Sequence, residues 1–184
     1  MASSNELPAP TVIRTTHNEE GKAIISKAVP EQPTPQVVSN GDAKFYLAYA
    51  TSQFPVDMNK DKDLDAYQEF ASQPPGLVVN NGTVLRHVDM APGITSPMHR
   101  TVSMDYGIVI AGDIELILDS GEARRMGAGD ICDQRGTMHA WRNLSQTSYA
   151  RMLYVLQPSQ PLKIGEQTLG EDYGGTMDGV RSST

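Results

Sequence analysis

The sequence predicts an all-β barrel that is preceded by an N-terminal arm and contains one short helix. Between Gly76 and Pro158, short extended runs alternate with turn residues about eight times, as in sandwiches and barrels. Sixteen glycines and twelve prolines among 184 residues supply the many turns that such a chain needs. A chain of this length fits one compact domain with extensions and leaves little room for a second.

The first part of the chain, residues 1–43, is predicted to be an arm and a linker. Two short extended runs between Thr11 and Val29 flank a turn at Gly21, which is typical of an arm that packs on the barrel or on a partner subunit. The sequence EQPTPQVVSNGD (residues 31–42) is proline-rich and predicts a stiff, extended connection without secondary structure.

The barrel domain is predicted to span residues 44–160 and to be followed by an irregular tail at residues 161–184. The segment KFYLAYATS (residues 44–52) is predicted to be the first strand because it is rich in aromatic and apolar residues. LVV, Asn-Asn-Gly and TVLRHVDM (residues 77–90) then predict a strand, a tight hairpin turn and a second strand. Further hairpins follow as far as YARMLYVLQ (residues 149–157), which closes the series.

One short helix is predicted between the first strand and this hairpin. Leu64, Tyr67 and Phe70 recur at helical spacing within residues 57–71, so they would share one buried face. The Pro-Pro-Gly sequence at residues 74–76 would end the helix sharply.

Composition excludes several classes of function. The net charge of −7, the pI near 5.0 and the lack of any Lys/Arg run argue against a nucleic-acid partner. No stretch approaches the roughly 20 apolar residues that cross a bilayer, so no membrane partner is expected. The single cysteine, Cys132, cannot form an internal disulfide, and the sequence MASSNELPAP lacks the features of a secretory signal. These features predict a cytoplasmic protein.

Two segments concentrate histidine, acidic and glycine residues. The first is GITSPMHRTVSMDYGIVIAG (residues 93–112), which contains His99. The second is GDICDQRGTMHAWRN (residues 129–143), which contains His139. Buried polar groups are costly unless they pair or bind a ligand, so such a cluster marks the candidate pocket for a small-molecule substrate.

Strand parity predicts how these residues would meet. Positions of equal parity share one face of a strand, so an unbroken strand would present His99, Thr101 and Asp105 to one side. If that side is the barrel interior, His139 and Trp141 would reach the same space from a neighbouring strand. A small barrel leaves interior room for one ligand or for packed side chains.

Several other positions are candidates for substrate contact. Arg86 would hold a carboxylate or phenolate with two hydrogen bonds, or it is a surface charge. Arg86 and His87 point in opposite directions, so only one of them can face the pocket. Asp133 is a further pocket acid if it faces inward and is merely solvated if it faces outward. Trp141 would form a wall of the pocket or belong to the core, and Thr101 would orient a neighbouring group.

The two segments together resemble the two motifs of the cupin family. These motifs are a glycine, His-x-His, an acid and a glycine, followed by Gly-Asp, a Pro-x-Gly turn, a histidine and an asparagine. The resemblance covers residues 82–157 and implies a double-stranded β-helix, or jelly-roll, barrel. Cupins often pair through sheets and terminal arms, so we expect a homodimer in which residues 11–29 cover an exposed sheet edge.

The strings HRTVSMDYGIVIAG and QRGTMHAWRN resemble a subgroup of small single-domain cupins that are common in fungi and bacteria. Some fungal members of this subgroup are associated with secondary-metabolite pathways. The resemblance therefore implies a small molecule of secondary metabolism as the substrate.

The resemblance also implies a metal site, from which this sequence departs. The usual ligands are two histidines and a glutamate from the first motif and a histidine from the second. Here Thr101, a poor ligand for transition metals, stands at the second histidine position, and Asp105 stands at the glutamate position. His99, His139 and Asp105 would still form a two-histidine, one-carboxylate set. We expect no cofactor, with iron, zinc, nickel or manganese at these three residues as the alternative.

Three functions remain open on these residues. The first is an acid/base lyase or isomerase that dehydrates, decarboxylates or cyclises a polyketide-like substrate, with His99, Asp105 and His139 as catalytic residues. In this reaction Asp105 would orient one histidine, and Arg86 would hold an anionic group. The second is a metal-dependent oxygenase that uses the same three residues, and the third is a non-catalytic module that binds a small molecule.

Overall fold

The computed structural model describes residues 6–175 and 177–183, and in that part of the chain it contains thirteen strands and one α-helix. The strands are β1 (Thr15–His17), β2 (Ala23–Ile25), β3 (Pro35–Val38), β4 (Ala43–Ala50), β5 (Val84–Met90), β6 (Ser103–Ala111), β7 (Ile114–Leu118), β8 (Ala123–Met126), β9 (Ile131–Arg135), β10 (His139–Asn143), β11 (Ala150–Pro158), β12 (Leu162–Ile164) and β13 (Gln167–Leu169). The helix α1 spans Lys62–Ser72.

Two antiparallel sheets form the body of the protein. The larger has the strand order β3-β4-β5-β11-β6-β9, and the smaller has the order β10-β7-β8. The pairs β1–β2 and β12–β13 are separate hairpins. Two antiparallel sheets that enclose one interior are the arrangement of a jelly roll. The predicted all-β barrel is therefore confirmed.

The chain changes sheets between the histidine and the acid of the first motif. The backbone N–H of His99 donates to the carbonyl of His139 at the start of β10 (2.8 Å), and the reverse hydrogen bond is 2.9 Å long. β6 begins only at Ser103 and pairs with β11 in the larger sheet. The strand is therefore interrupted between His99 and Asp105, and the two side chains start from different sheets, but His99, Thr101 and Asp105 are all buried, as expected from their shared parity.

The predicted helix is confirmed, although it begins later than expected. A short 3₁₀ turn at Asn59–Asp61 precedes α1, which then runs from Lys62 to Ser72. Tyr67 is buried and its hydroxyl donates a hydrogen bond to the carbonyl of Leu47 in β4 (2.7 Å). This contact fixes the helix against the outer strands of the larger sheet.

Three segments differ from the sequence-based expectations. Residues 77–79 are buried in the core but are not a strand, because the N–H of Val78 donates to the hydroxyl of Ser183 rather than to a strand (3.3 Å). The linker contains β3, which pairs with β4, and the tail contains the β12–β13 hairpin. The tail then returns to the barrel, where Met177 is buried.

Two predictions concern the oligomeric state and membrane association. The homodimer stays a prediction, which light scattering on the full-length protein would test. Among the helices that the structure describes, none is both long and apolar enough to cross a membrane.

Replacing Gly82 by alanine is expected to destabilise the protein by about 1–3 kcal/mol or more. A Cβ atom at Gly82 would lie 1.8 Å from the carbonyl oxygen of Thr51 and 2.6 Å from its carbonyl carbon, so backbone must move. Urea denaturation would measure the change. Gly170→Ala is the control, because a Cβ there meets nothing within 4 Å. Equal stability of the two variants would contradict the prediction.

Candidate active site

A cavity of about 360 Å³ lies between the two sheets. Much of its wall is apolar and includes Phe45, Val88, Met90, Trp141, Tyr154 and Leu156. Its polar groups include Arg86, His99, Thr101, Asp105 and His139. An apolar cavity with a few convergent polar groups is typical of a small-molecule site. Six of the seven predicted site residues therefore line one space.

The seventh, Asp133, lies outside the cavity. It is exposed on β9, whereas its neighbour Gln134 is buried and pairs with Asp105 of β6. Because side chains alternate along a strand, burial of Gln134 turns Asp133 to the outside. The predicted substrate contact of Asp133 is therefore wrong, and its solvated alternative holds.

The structure also decides between Arg86 and His87. Arg86 is buried and borders the cavity, whereas His87 lies on the other face of β5, near Asp89 and Arg151. The alternation of side chains on β5 thus gives the cavity a cation rather than a third histidine.

His99 and His139 form a fixed pair of imidazoles. Their ring centroids are 4.3 Å apart, and the planes are tilted by 46°. Each Nδ1 lies 2.9 Å from the carbonyl oxygen two residues earlier, at Pro97 and at Thr137. Because a carbonyl oxygen only accepts, each Nδ1 carries a proton and donates it. Each neutral ring therefore has its lone pair on Nε2, which bonds to no other described residue.

Burial keeps both imidazoles neutral. It lowers the pKa of His99, and burial together with the neighbouring His99 ring lowers the pKa of His139 to about 4. The charged form of each ring would lack solvation in this apolar cavity. At neutral pH the pair therefore offers two unprotonated nitrogen atoms that can accept a proton.

Asp105 has the opposite character. Its side chain is buried, and burial raises its pKa to about 6. The hydroxyl of Thr101 lies 3.3 Å from Oδ2 of Asp105, and Ser103 donates to the Thr101 hydroxyl (2.7 Å). Oδ1 is buried without a hydrogen-bond partner among the described residues, which favours the protonated carboxyl. The predicted role of Asp105 in orienting a histidine is wrong, because backbone carbonyls orient both rings.

Tyr154 and Gly107 belong to the site but were missed in the sequence. Tyr154 lines the cavity, and burial raises the pKa of its phenol well above the usual range. Gly107 faces it across the ladder, where a Cβ would lie 3.2 Å from the Tyr154 ring and 3.5 Å from that of Trp141. The glycine makes room for both rings. The shared parity of Tyr154 with two apolar β11 residues, Met152 and Leu156, was the available signal.

The described residues do not assemble the metal set that the resemblance implies. Both Nε2 atoms are available as ligands, and Nδ1 hydrogen bonds to carbonyls are usual for metal-bound histidines. Within residues 6–175 and 177–183, however, no three His, Cys, Asp or Glu side chains are close enough to share an ion. Asp105 starts from the other sheet. The residues present therefore do not by themselves fit the expected two-histidine, one-carboxylate site.

The variant Asp105→Asn is expected to gain stability relative to the wild type as the pH rises. The folded-state pKa of about 6 lies above the ordinary 3.8, so the folded chain holds the proton more tightly. This contribution to stability is complete below about pH 4 and is lost as the pH rises through 6. The free energy of unfolding of Asp105→Asn, relative to that of the wild type, should rise by up to about 3 kcal/mol between pH 4 and pH 7. Urea denaturation at both pH values measures it, and a pH-independent gap would contradict it.

Comparison with known proteins identifies close relatives. No protein-family model matches the chain. Phomopsin biosynthesis cluster protein D of Diaporthe leptostromiformis is 43% identical over 175 residues, which cover 95% of this chain and 92% of that protein. Oryzines biosynthesis cluster protein J of Aspergillus oryzae is 40% identical over 176 residues, which cover 95% and 98%.

A third relative carries the family name. The cupin-domain-containing oxidoreductase virC of Hypocrea virens is 42% identical over 166 residues, which cover 86% of this chain and 84% of that protein. The aligned region includes the greater part of both chains, and the jelly-roll sheets and paired histidines described above agree with it. The chain belongs to the cupin-domain-containing protein family, together with relatives named for fungal biosynthesis clusters.

Proposed function

We propose that this protein is an acid/base enzyme of secondary metabolism, a lyase or isomerase that moves protons within a small apolar substrate. One observation carries the proposal. Two neutral imidazoles, His99 and His139, face the same cavity as the carboxyl of Asp105, whose pKa is shifted in the opposite direction. Such a separation of pKa values divides the roles of base and acid between neighbouring groups.

In the proposed reaction, Nε2 of one imidazole removes a proton from a carbon next to a substrate carbonyl. Its Nδ1–H remains bonded to a backbone carbonyl, so the ring does not rotate away and the positive charge is shared with that carbonyl. The second ring stays neutral, because two adjacent imidazolium ions would repel each other.

Asp105 supplies the proton that the reaction needs elsewhere. Below about pH 6, where Asp105 is protonated, its carboxyl donates to a leaving hydroxyl, which gives dehydration, or to a carbon, which gives isomerisation. Thr101, which accepts a hydrogen bond from Ser103, holds one carboxyl oxygen, so the other is left for the substrate. The imidazolium then loses its proton to solvent, and Asp105 regains one. No electrons are exchanged in this cycle.

The relatives support a role in secondary metabolism. Several are named for the biosynthesis clusters of phomopsin and oryzines. The aromatic and aliphatic wall of the cavity suits a polyketide-like substrate with few polar groups. Dehydration, decarboxylation or cyclisation of such a molecule requires the base and the acid that we assign.

A metal-dependent oxidoreductase is the second candidate. Four relatives are named cupin-domain-containing oxidoreductases, and the two Nε2 atoms would be the ligands. A non-catalytic binding module is the third candidate, since the cavity alone would hold a ligand. The experiment below separates all three.

The test uses the chelated, untagged protein without oxygen in D₂O. An extract of a source strain that lacks the gene supplies the substrate, and mass spectrometry follows the metabolites. We expect one metabolite to be converted, with deuterium entering at carbon in the product of an isomerisation or, through reversible proton removal, in the remaining substrate of a dehydration. Activity that requires oxygen or an added metal ion would overturn the proposal in favour of an oxidoreductase. Binding without conversion would indicate the binding module.

A further inference from the structure

The buried cations of the described chain are three arginines: Arg14, Arg86 and Arg151. Arg151 forms two hydrogen bonds with the carboxylate of Asp89, at 2.5 and 2.6 Å. Arg14 donates to three backbone carbonyls and lies 4.6 Å from the ring centre of Tyr67. The carboxylate of Asp89 thus compensates Arg151, and three carbonyl oxygens partly compensate Arg14, whose Nε is buried without a partner among the described residues.

Arg86 lacks this compensation. It is 2% exposed, and its one hydrogen bond to a described residue runs from Nη2 to the carbonyl of Gly76 (3.0 Å). The guanidinium lies 5.1 Å from the ring centre of Phe45. A guanidinium has five N–H donors, so most of them have no acceptor in the described part of the protein.

No described acid neutralises Arg86. Burial lowers its pKa to about 10, so the group remains a cation at neutral pH. Tyr173 is the one titratable neighbour that affects it, and burial raises the pKa of Tyr173 to about 12, so that phenol is neutral. Asp42 and Asp105 line the same cavity as Arg86, but neither forms a hydrogen bond or an ion pair with it or affects its pKa. An unpaired buried charge is costly, which calls for a ligand that compensates it.

We infer that Arg86 is the anion subsite of the cavity and that the substrate is a small apolar carboxylic acid, bound as its carboxylate. This inference rests on the proposed function for the place of the chemistry and adds the class of substrate. The planar fork of a guanidinium matches the two oxygens of a carboxylate. Arg86 would hold that end of the molecule, while His99 and His139 in the same cavity face its reacting carbon.

The test compares benzoate with benzamide, which has the same shape but no charge. Trp141 is the single tryptophan of the chain and lines the cavity, so its fluorescence reports binding. We expect the wild type to bind benzoate about tenfold or more tightly than benzamide near neutral pH. In Arg86→Met the two compounds should bind equally, with benzamide affinity retained.

Thermal unfolding distinguishes an anion subsite from a structural arginine. We expect the Tm of ligand-free Arg86→Met to equal or exceed that of the wild type, because an unpaired buried charge is removed. Arg14→Met is the matched control; its Tm should fall, and it should keep the preference for benzoate. A lower Tm of Arg86→Met with the preference intact would overturn the inference, as would a wild type that does not prefer benzoate.

A second variant and a separate readout keep the inference testable. If Arg86→Met does not fold, Arg86→Lys retains the charge without the fork and should bind benzoate about tenfold more weakly than the wild type. Unchanged benzoate affinity in Arg86→Lys would contradict the fork. Failure of the proposed function, seen as a requirement for metal or oxygen, leaves the benzoate preference intact. Failure of the anion subsite leaves deuterium exchange intact.

Discussion

Replacing His139 by glutamine is expected to lower turnover by about 10²–10⁴-fold while the barrel remains folded. Glutamine approximates the size of histidine but has no basic nitrogen that could accept a proton from carbon. The ring of His139 lies between the rings of His99 and Trp141, with centroid distances of 4.3 and 5.6 Å. The substitution therefore removes a ring that contacts both of these cavity residues. Conversion of the metabolite by purified protein measures the effect, and circular dichroism confirms the fold.

His87→Gln is the matched control for this substitution. His87 lies on the same barrel but on the other face of β5, away from the cavity, so turnover should stay close to that of the wild type. Full activity of His139→Gln, or an equal loss in both variants, would contradict the assignment of the base.

The double variant of His99 and His139 tests whether the two rings act as one unit. If one ring takes the proton and the other supports it, losing both should cost little more than losing the more important one. Multiplicative losses would show that the two imidazoles act in independent steps.

The barrel could be predicted from the sequence because its signals are local. Short apolar runs between turn residues mark most of its strands, and Pro-Pro-Gly marks the end of the helical region. His99 and His139 could be predicted because each lies in a segment with characteristic glycines. The sequence limited the inward-facing residue of β5 to Arg86 or His87, because adjacent residues of a strand point to opposite faces.

The remaining features depend on contacts that parity does not report. The change of sheet between His99 and Ser103 keeps His99 and Asp105 on the cavity side, but among the described residues no three ligand side chains come close enough to share an ion. The buried segment at residues 77–79 pairs with the tail about a hundred residues later, which no local pattern indicates. Asp133 faces outward because of the register of β9 with β6. The sequence could not decide this register, because the glycine turn before His139 can shift it.

Replacing Arg151 by methionine is expected to destabilise the protein by about 3–5 kcal/mol. Arg151 and Asp89 are 9% and 3% exposed in their side chains and share two short hydrogen bonds between β11 and β5. Methionine fills much of the space but leaves the Asp89 carboxylate buried without a partner. Urea denaturation near neutral pH measures the change. A loss below about 1 kcal/mol would show that water or a neighbouring group compensates Asp89.

The double variant Asp89→Leu, Arg151→Met is expected to recover much of this loss, because a well-packed apolar pair can replace a buried ion pair. The comparison with Arg86→Met is informative, because the same substitution should lower the free energy of unfolding at Arg151 but not at Arg86. Arg151 balances a charge that the fold itself buries, so removing it costs stability. Arg86 has no such partner, so its removal should cost ligand affinity instead. A loss of stability in Arg151→Met without one in Arg86→Met would distinguish an arginine that stabilises the fold from one that binds the substrate.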